Sequence, residues 1–235
     1  MKVAFCLGGA PRFNHRGLFR TVNALKGIDQ IDFFTRTWQS EYGQTDEEFE
    51  AYLRANLPDH CDFKVTLVLP DSPEYYPPAK PPLNIAPWSP NFLIMWWQIV
   101  QSYQLYQQYV ELTGETYDLV FRVRTDTVPN QAIDLSAISE SIKSNMIHPN
   151  NFGDTFFFGP PELYARAMGY WEHLDVLSSE NAFIHPENSL QEYYVRTGIP
   201  CNLLAAQVAP AWDPGEYKGR PRGSAEDTWD IGLPT

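Results

Sequence analysis

The sequence predicts an α/β fold: a mostly parallel twisted sheet with helices on both faces. Three observations carry that expectation. Short apolar strand patterns alternate with helical patterns through the first half of the chain. The first strand runs into Gly8-Gly9 and then into a helical segment, a strand–glycine loop–helix unit. Leu119 to Val123 reads as a buried strand, apolar apart from Arg122, and it ends in Arg124-Thr125-Asp126-Thr127. Charged groups at the carboxyl end of a parallel strand stand where open α/β sheets bind ligands.

The elements follow in order. Lys2 to Leu7 is the first strand. Gly8 and Gly9 let the backbone turn tightly and approach a ligand, and Arg12 adds positive charge to that loop. His15 to Lys26 is expected as a helix, with Leu18, Val22 and Leu25 on one face and an N-terminus able to hold a phosphate. The loop is neither GxGxxG nor the GxxxxGK[ST] of a P-loop, so a tight turn is the equal alternative. Ile31 to Trp38 is a second strand. Thr45 to Asn56 is a helix, with Thr45 as N-cap, Glu48 at capping-box spacing and Phe49, Tyr52 and Leu53 as its apolar stripe. Asp62 to Leu69 is a third strand.

Residues 70–90 are too rich in proline for a helix or a central strand and read as a long extended loop carrying Tyr75, Tyr76 and Trp88. Asn91 to Thr113 is the longest helix. Phe92, Trp96, Ile99, Tyr103 and Tyr106 form its core stripe, and Gln98, Gln101, Gln104, Gln107 and Gln108 are expected outward. After the central strand, Ile133 to Ser144 reads as a short helix, Asn145 to Pro149 as a strand, 150–154 as a turn and Thr155 to Gly159 as a strand. A helix from Pro161 to Leu177, another from Glu187 to Val195 and a last strand within Ile199 to Val208 complete the domain. The expected organisation is one domain over residues 1–212 and a polar tail over 213–235.

Composition narrows the function. A formal charge of −12 repels nucleic-acid phosphate, so no nucleic-acid partner is expected, while small anions can bind where arginines gather. The 3 cysteines, Cys6, Cys61 and Cys201, show no CxxC spacing and imply neither a zinc site nor a disulfide framework. The chain opens directly on a strand, with no signal peptide and no apolar run of membrane-spanning length; a cytoplasmic setting is expected. At the central strand, Asp126 can hold a divalent cation and Arg122 and Arg124 can pair with phosphate. The alternative there is mutual neutralisation of the strand-end charges.

The order of elements resembles small GT-A-type glycosyltransferases of the bacterial and viral surface-polysaccharide kind, a Rossmann-like architecture. The resemblance rests on residues 3–12 and 32–38, on Arg122-x-Arg124-x-Asp126, on Asn151-x-Gly153-Asp154 before an aromatic strand, and on Pro186-Glu187 opening a helix. It covers about residues 1–205 and is a similarity of arrangement, with no diagnostic motif. It implies a nucleotide-sugar donor, a divalent cation (Mn²⁺ or Mg²⁺) and a glycan or surface-polymer acceptor. It implies that Gly8, Gly9 and Arg12 hold the nucleotide and that Asp126 ends a DxD-like triplet. Arg124 stands where the family has the first aspartate of that triplet. An inverting transfer further needs a base for the acceptor hydroxyl, for which Asp154 and Glu187 are the candidates. Each has a structural alternative, Asp154 as a turn residue and Glu187 as a helix-start carboxylate. Two rival functions are a non-catalytic sugar- or nucleotide-binding module and another phosphate-handling transferase.

Overall fold

The computed structural model describes residues 1–9, 16–39, 45–70, 72–78, 80, 83, 85, 92–125, 127–129, 131–138, 146–149, 155–179, 184, 186–202 and 208–210. Of residues 16, 127, 128, 178, 179, 186–188 and 208–210 the backbone alone is described. Strand β1 (Lys2–Gly9) is followed by α1 (Arg16–Ala24), the two-residue β2 (Leu25–Lys26) and β3 (Gln30–Trp38). Helix α2 (Asp46–Arg54) leads to β4 (Cys61–Leu69), and α3 (Phe92–Thr113) delivers the chain to β5 (Leu119–Val123). Short strands β6 (Thr127–Pro129), β7 (Ile133–Asp134), β8 (His148–Pro149) and β9 (Phe156–Gly159) come next. Helices α4 (Pro161–Met168), α5 (Tyr170–Ser179) and α6 (Pro186–Thr197) precede β10 (Val208–Pro210).

Six strands form one mixed sheet in the order β4-β3-β1-β5-β9-β8. The run from β4 to β5 is parallel, β9 is antiparallel to β5, and β8 is antiparallel to β9. The arrangement is doubly wound and consistent with a Rossmann-like fold. The chain winds outward from β1 through β3 to β4, then returns to the other side of β1 as β5. The topological switch point therefore lies between β1 and β5.

Alternation along each strand divides the core into two layers. On one face Val3, Phe5, Leu7, Phe33, Phe121 and Val123 pack against Leu18 and Val22 of α1 and Phe49 and Leu53 of α2. On the other, Ala4, Cys6, Phe34, Val120 and Phe157 pack against α3 to α6 through Trp96, Tyr103, Tyr164, Tyr170 and Tyr194. Strand register lines up Phe63, Phe33, Phe5, Phe121, Phe158 and His148 straight across all six strands. Rings in this row meet at centroid distances of 4.9 Å for Phe33–Phe63, 5.0 Å for Phe5–Phe121 and 4.6 Å for both Phe121–Phe158 and His148–Phe158. Fully burying one such ring contributes about 2–3 kcal/mol, so these phenylalanines serve the core rather than a ligand cleft.

Local chemistry fixes several boundaries. The capping box at Thr45 forms, with Glu48 N–H donating to Thr45 Oγ1 at 3.2 Å and Thr45 N–H to Glu48 Oε2 at 2.9 Å. The helix expected through Lys26 stops at Ala24, because Leu25–Lys26 pairs in parallel with Ile133–Asp134. That pairing also replaces the start of the helix expected over 133–144. Asp134 Oδ1 accepts the Ser136 N–H at 2.9 Å, closing a turn that competes with helix. The helix expected from Pro161 to Leu177 is two helices, divided where the Gly169 N–H closes onto the Arg166 carbonyl at 3.1 Å. In place of one strand within 199–208, Cys201 bridges to Ile147 and β10 pairs antiparallel with β6. The proline-dense stretch forms a 3₁₀ turn at Pro73–Tyr75 and is fastened by Tyr76 against Trp38 and by Lys80 Nζ on the Trp171 carbonyl at 3.0 Å. Trp88, residues 139–145, the turn at 150–154, and the tail from 213 lie outside the described residues. Among the described residues no helix is long and apolar enough to cross a membrane.

Candidate functional site

The candidate site is the carboxyl edge of β3, β1 and β5, at the switch point, where open α/β sheets bind ligands. Gly8 and Gly9 are the last two residues of β1 itself rather than a loop beyond it. A Cβ on Gly8 would lie 2.4 Å from the carbonyl oxygen of Gln98, so α3 packs directly onto the strand there. Helix-on-sheet packing thus requires glycine at 8. Gly9 has φ +113°, a conformation that side-chain-bearing residues rarely adopt, and open space beside it. Its carbonyl accepts the Thr37 hydroxyl at 2.8 Å, which ties the end of β1 to β3.

Arg122 is 1% exposed. It points to the α3 face from β5, and its Nη1 donates to the Gly8 carbonyl at 3.0 Å and to the Val123 carbonyl at 3.1 Å. That nitrogen is committed to the main chain, where it holds the ends of β1 and β5 together across the switch point. Arg124 follows the strand; it is half-buried, and its N–H donates to the Thr155 carbonyl at 2.8 Å. Helix α1 is docked at the same place, because the Leu18 N–H is taken by the Thr125 carbonyl at 3.1 Å. Of the residues singled out from sequence, Gly8, Gly9, Arg122 and Arg124 are therefore gathered at one edge. Glu187 is the second residue of α6 and is described by its backbone. Arg12, Asp126 and Asp154 lie outside the described residues.

Two further residues belong to this edge. Arg36 stands in register with Gly8 on the β3 side and is 7% exposed. Its Nη1 is buried with no hydrogen-bond partner. Burial alone draws its guanidinium below its ordinary value. Gln98, expected on the outer face of α3, is 0% exposed, and both its amide oxygen and its amide nitrogen are buried without a partner. The helix lies so flat on Gly8 that this glutamine is covered. A signal for Arg36 was present in the sequence: a charged residue inside an apolar strand, on the same face as Phe34. Gln98 gave only a mixed signal: Ile94 and Met95 at helical spacing are apolar, while Gln101 and Ser102 are polar.

Among the described residues, Arg36, Arg122 and Arg124 bring three positive charges to this edge of an acidic protein. Asp46, at the start of α2 nearby, is committed to the Val68 N–H at 2.8 Å. Space at the edge is tight: a cleft of about 10 Å³, on the order of one water, opens among Gly9, Thr35, Thr37, Phe49 and Thr125. A larger depression of about 700 Å³ lies at the opposite, amino end of β1 and β5. It is lined by Glu115, Asp118 and Glu162, carboxylates that disfavour an anionic ligand. Charge and topology make the carboxyl edge, rather than the roomier depression, the candidate site for an anion.

Among the described residues no group of three or more His, Cys, Asp or Glu side chains could hold a metal ion. Asp126 is outside them, so no metal geometry is derived. Cys6 and Cys61 are buried thiols, and burial pushes Cys61 up to about 12. Comparison with known proteins finds no family model that matches this chain. No match emerges among curated proteins either.

Proposed function

We propose that this protein is a glycosyltransferase of GT-A-like architecture, moving a sugar from a nucleotide-sugar donor to a glycan-type acceptor. One observation carries the reading. The switch-point edge of a doubly wound sheet gathers Arg122 and Arg124 about Gly8 and Gly9 in a chain of net charge −12. Departure of a nucleoside diphosphate builds negative charge on the leaving oxygen, and fixed cations at that point stabilise it. Arg124 supplies that charge from the end of β5, and Arg122 keeps β1 and β5 at the spacing the donor needs. A divalent cation on Asp126 supplies Lewis-acid charge when bound. Asp154 and Glu187 are the candidates for taking the acceptor's proton.

The test is a thermal-shift screen of UDP-, GDP-, dTDP- and CMP-linked sugars, with and without Mn²⁺, followed by assay of nucleotide release on adding a glycan acceptor. A donor that binds the native state raises the melting temperature by mass action. One nucleotide family is expected to protect. Arg124→Ala is expected to lower transfer about 10²-fold. The reading is lost when no donor protects. Arg124 in place of an aspartate favours a second reading, a non-catalytic binding module. Donor protection without any release of nucleotide selects that one.

A further inference from the structure

Buried charges in folded proteins are paired, because an ion removed from water without a partner is strongly disfavoured. Arg36 departs from that rule. Its guanidinium stays protonated at any physiological pH. The residue is 7% exposed, and among the described residues its Nη1 has no hydrogen-bond partner and no carboxylate pairs with it. Arg122, two strands away across β1 on the same face, differs in having two main-chain carbonyls for its Nη1.

Among the described residues, the sheet and α3 set the surroundings of Arg36. Gly8 lies next to it in the sheet, and the α3 turn carrying Gln98 rests on Gly8. The Gln98 amide is buried with both polar atoms unpartnered. Arg122 reaches the Gly8 carbonyl from the far side. Two guanidinium groups and an unsatisfied amide thus flank the last residues of β1, and the space beside Gly9 is open. A neutral ligand would satisfy the amide and leave the charge of Arg36 uncompensated. A tetrahedral oxyanion answers both, since a guanidinium presents paired N–H groups to two phosphate oxygens and an amide offers a further donor.

We propose that Arg36, with Gln98 beside it, anchors a phosphate group at the carboxyl edge of β3. Assigning that phosphate to the diphosphate of a nucleotide donor rests on the function proposed above; the phosphate site itself does not. Arg36 touches the ligand's phosphate and holds it in place, and no bond to it is made or broken.

Isothermal titration calorimetry tests this with two probes, inorganic pyrophosphate and a nucleoside diphosphate, on wild type, Arg36→Met, Arg36→Lys and Arg54→Gln. Arg54 is a surface cation paired with Asp62 at 3.0 Å and controls for general charge. Pyrophosphate is expected to bind wild type and Arg54→Gln alike. Its affinity falls about thirty-fold or more in Arg36→Met, the loss typical of removing one member of a buried charge pair. Arg36→Lys, which keeps the charge and loses the planar fork, lies between. Unliganded Arg36→Met melts higher than wild type, because an unpaired buried charge is gone, and pyrophosphate no longer raises its melting temperature. Unchanged pyrophosphate affinity in Arg36→Met and Arg36→Lys overturns the proposal, as does the absence of any pyrophosphate binding to wild type. Nucleoside diphosphate that binds Arg36→Met as tightly as wild type sinks the phosphate anchor and leaves the donor reading standing. Pyrophosphate binding that depends on Arg36, with no nucleotide bound, keeps the anchor and sinks the donor reading.

Discussion

Asp32 and Arg36 lie on the same strand and the same face, four residues apart, and their surroundings are opposite. At the amino end, the fully buried Asp32 accepts the Tyr117 hydroxyl at 2.7 Å and the Gln30 amide at 2.8 Å, with Lys2 Nζ at 3.2 Å and Lys64 Nζ at 3.9 Å. Lys2 also pairs with Glu115. At the carboxyl end Arg36 and Gln98 have buried polar atoms with no partner. An extended strand separates the two residues by about 13 Å, so they cannot neutralise one another. The contrast separates polar groups that complete the fold from polar groups left for something outside it. A satisfied buried network specifies one core arrangement, whereas a buried unpaired cation persists only where it has another use.

Removing a member of the satisfied network has the largest expected effect. Asp32→Ala takes from the Tyr117 hydroxyl its shorter acceptor, leaving only Glu115 at 3.3 Å, and from Lys2 and Lys64 their shared carboxylate. We expect a loss of about 3 kcal/mol in urea denaturation. A loss below about 1 kcal/mol would show that the amino-end network contributes little and would weaken the contrast. Gly8→Ala comes next. Its Cβ has no room beneath the Gln98 carbonyl, and overpacking of that kind costs about 2 kcal/mol. An unchanged denaturation midpoint would mean that α3 lifts freely from the sheet, and the enclosure of Arg36 and Gln98 would no longer follow.

The smallest effect is the pH dependence of the amino end. Glu115 is held below its ordinary 4.5 chiefly by the hydrogen bond from Lys2. Its contribution is present above pH 4.5 and lost as pH falls through the lowered value. For Lys2, burial pulls downward but is outweighed by Glu115 and Asp32, so its value lies above the ordinary 10.5. Its contribution is present below pH 10.5 and lost as pH rises past the raised value. Burial also raises the Cys6 thiol above its ordinary 9.0, so stability declines from about pH 9 as the unfolded chain ionises first. Denaturation midpoints across pH are expected to form a plateau with an acid and an alkaline limb. Lys2→Met should flatten the acid limb; an unaltered acid limb in that variant would place its origin elsewhere.

Local chemistry was readable wherever one segment's own residues decide its state. Leu119–Val123 is a strand at the bounds its apolar run implies, because Asp118 and Arg124 close it on both sides. The capping box at Thr45 and Glu48 formed as their spacing implies. The α/β class and the mostly parallel sheet followed from alternating periodicities. Misreadings arose where a distant partner decides. Leu25 continues a helical stripe, yet Ile133 pairs with it and makes it strand. Gln98 sits among outward glutamines, yet the absence of a side chain at Gly8 lets α3 settle low enough to bury it.

The site divides in the same way. The sequence by itself set Gly8 and Gly9 just beyond a first strand and Arg122 and Arg124 at the end of a central one, because strand ends follow from local apolar runs and their polar stops. Only the tertiary structure decided that β1 and β5 are neighbours, that Arg122 Nη1 meets the Gly8 carbonyl at 3.0 Å, and that Arg36 beside them is buried without a partner. Pairing partners and burial arise from contacts between residues far apart in the chain, and whether a buried charge is compensated depends on every one of them.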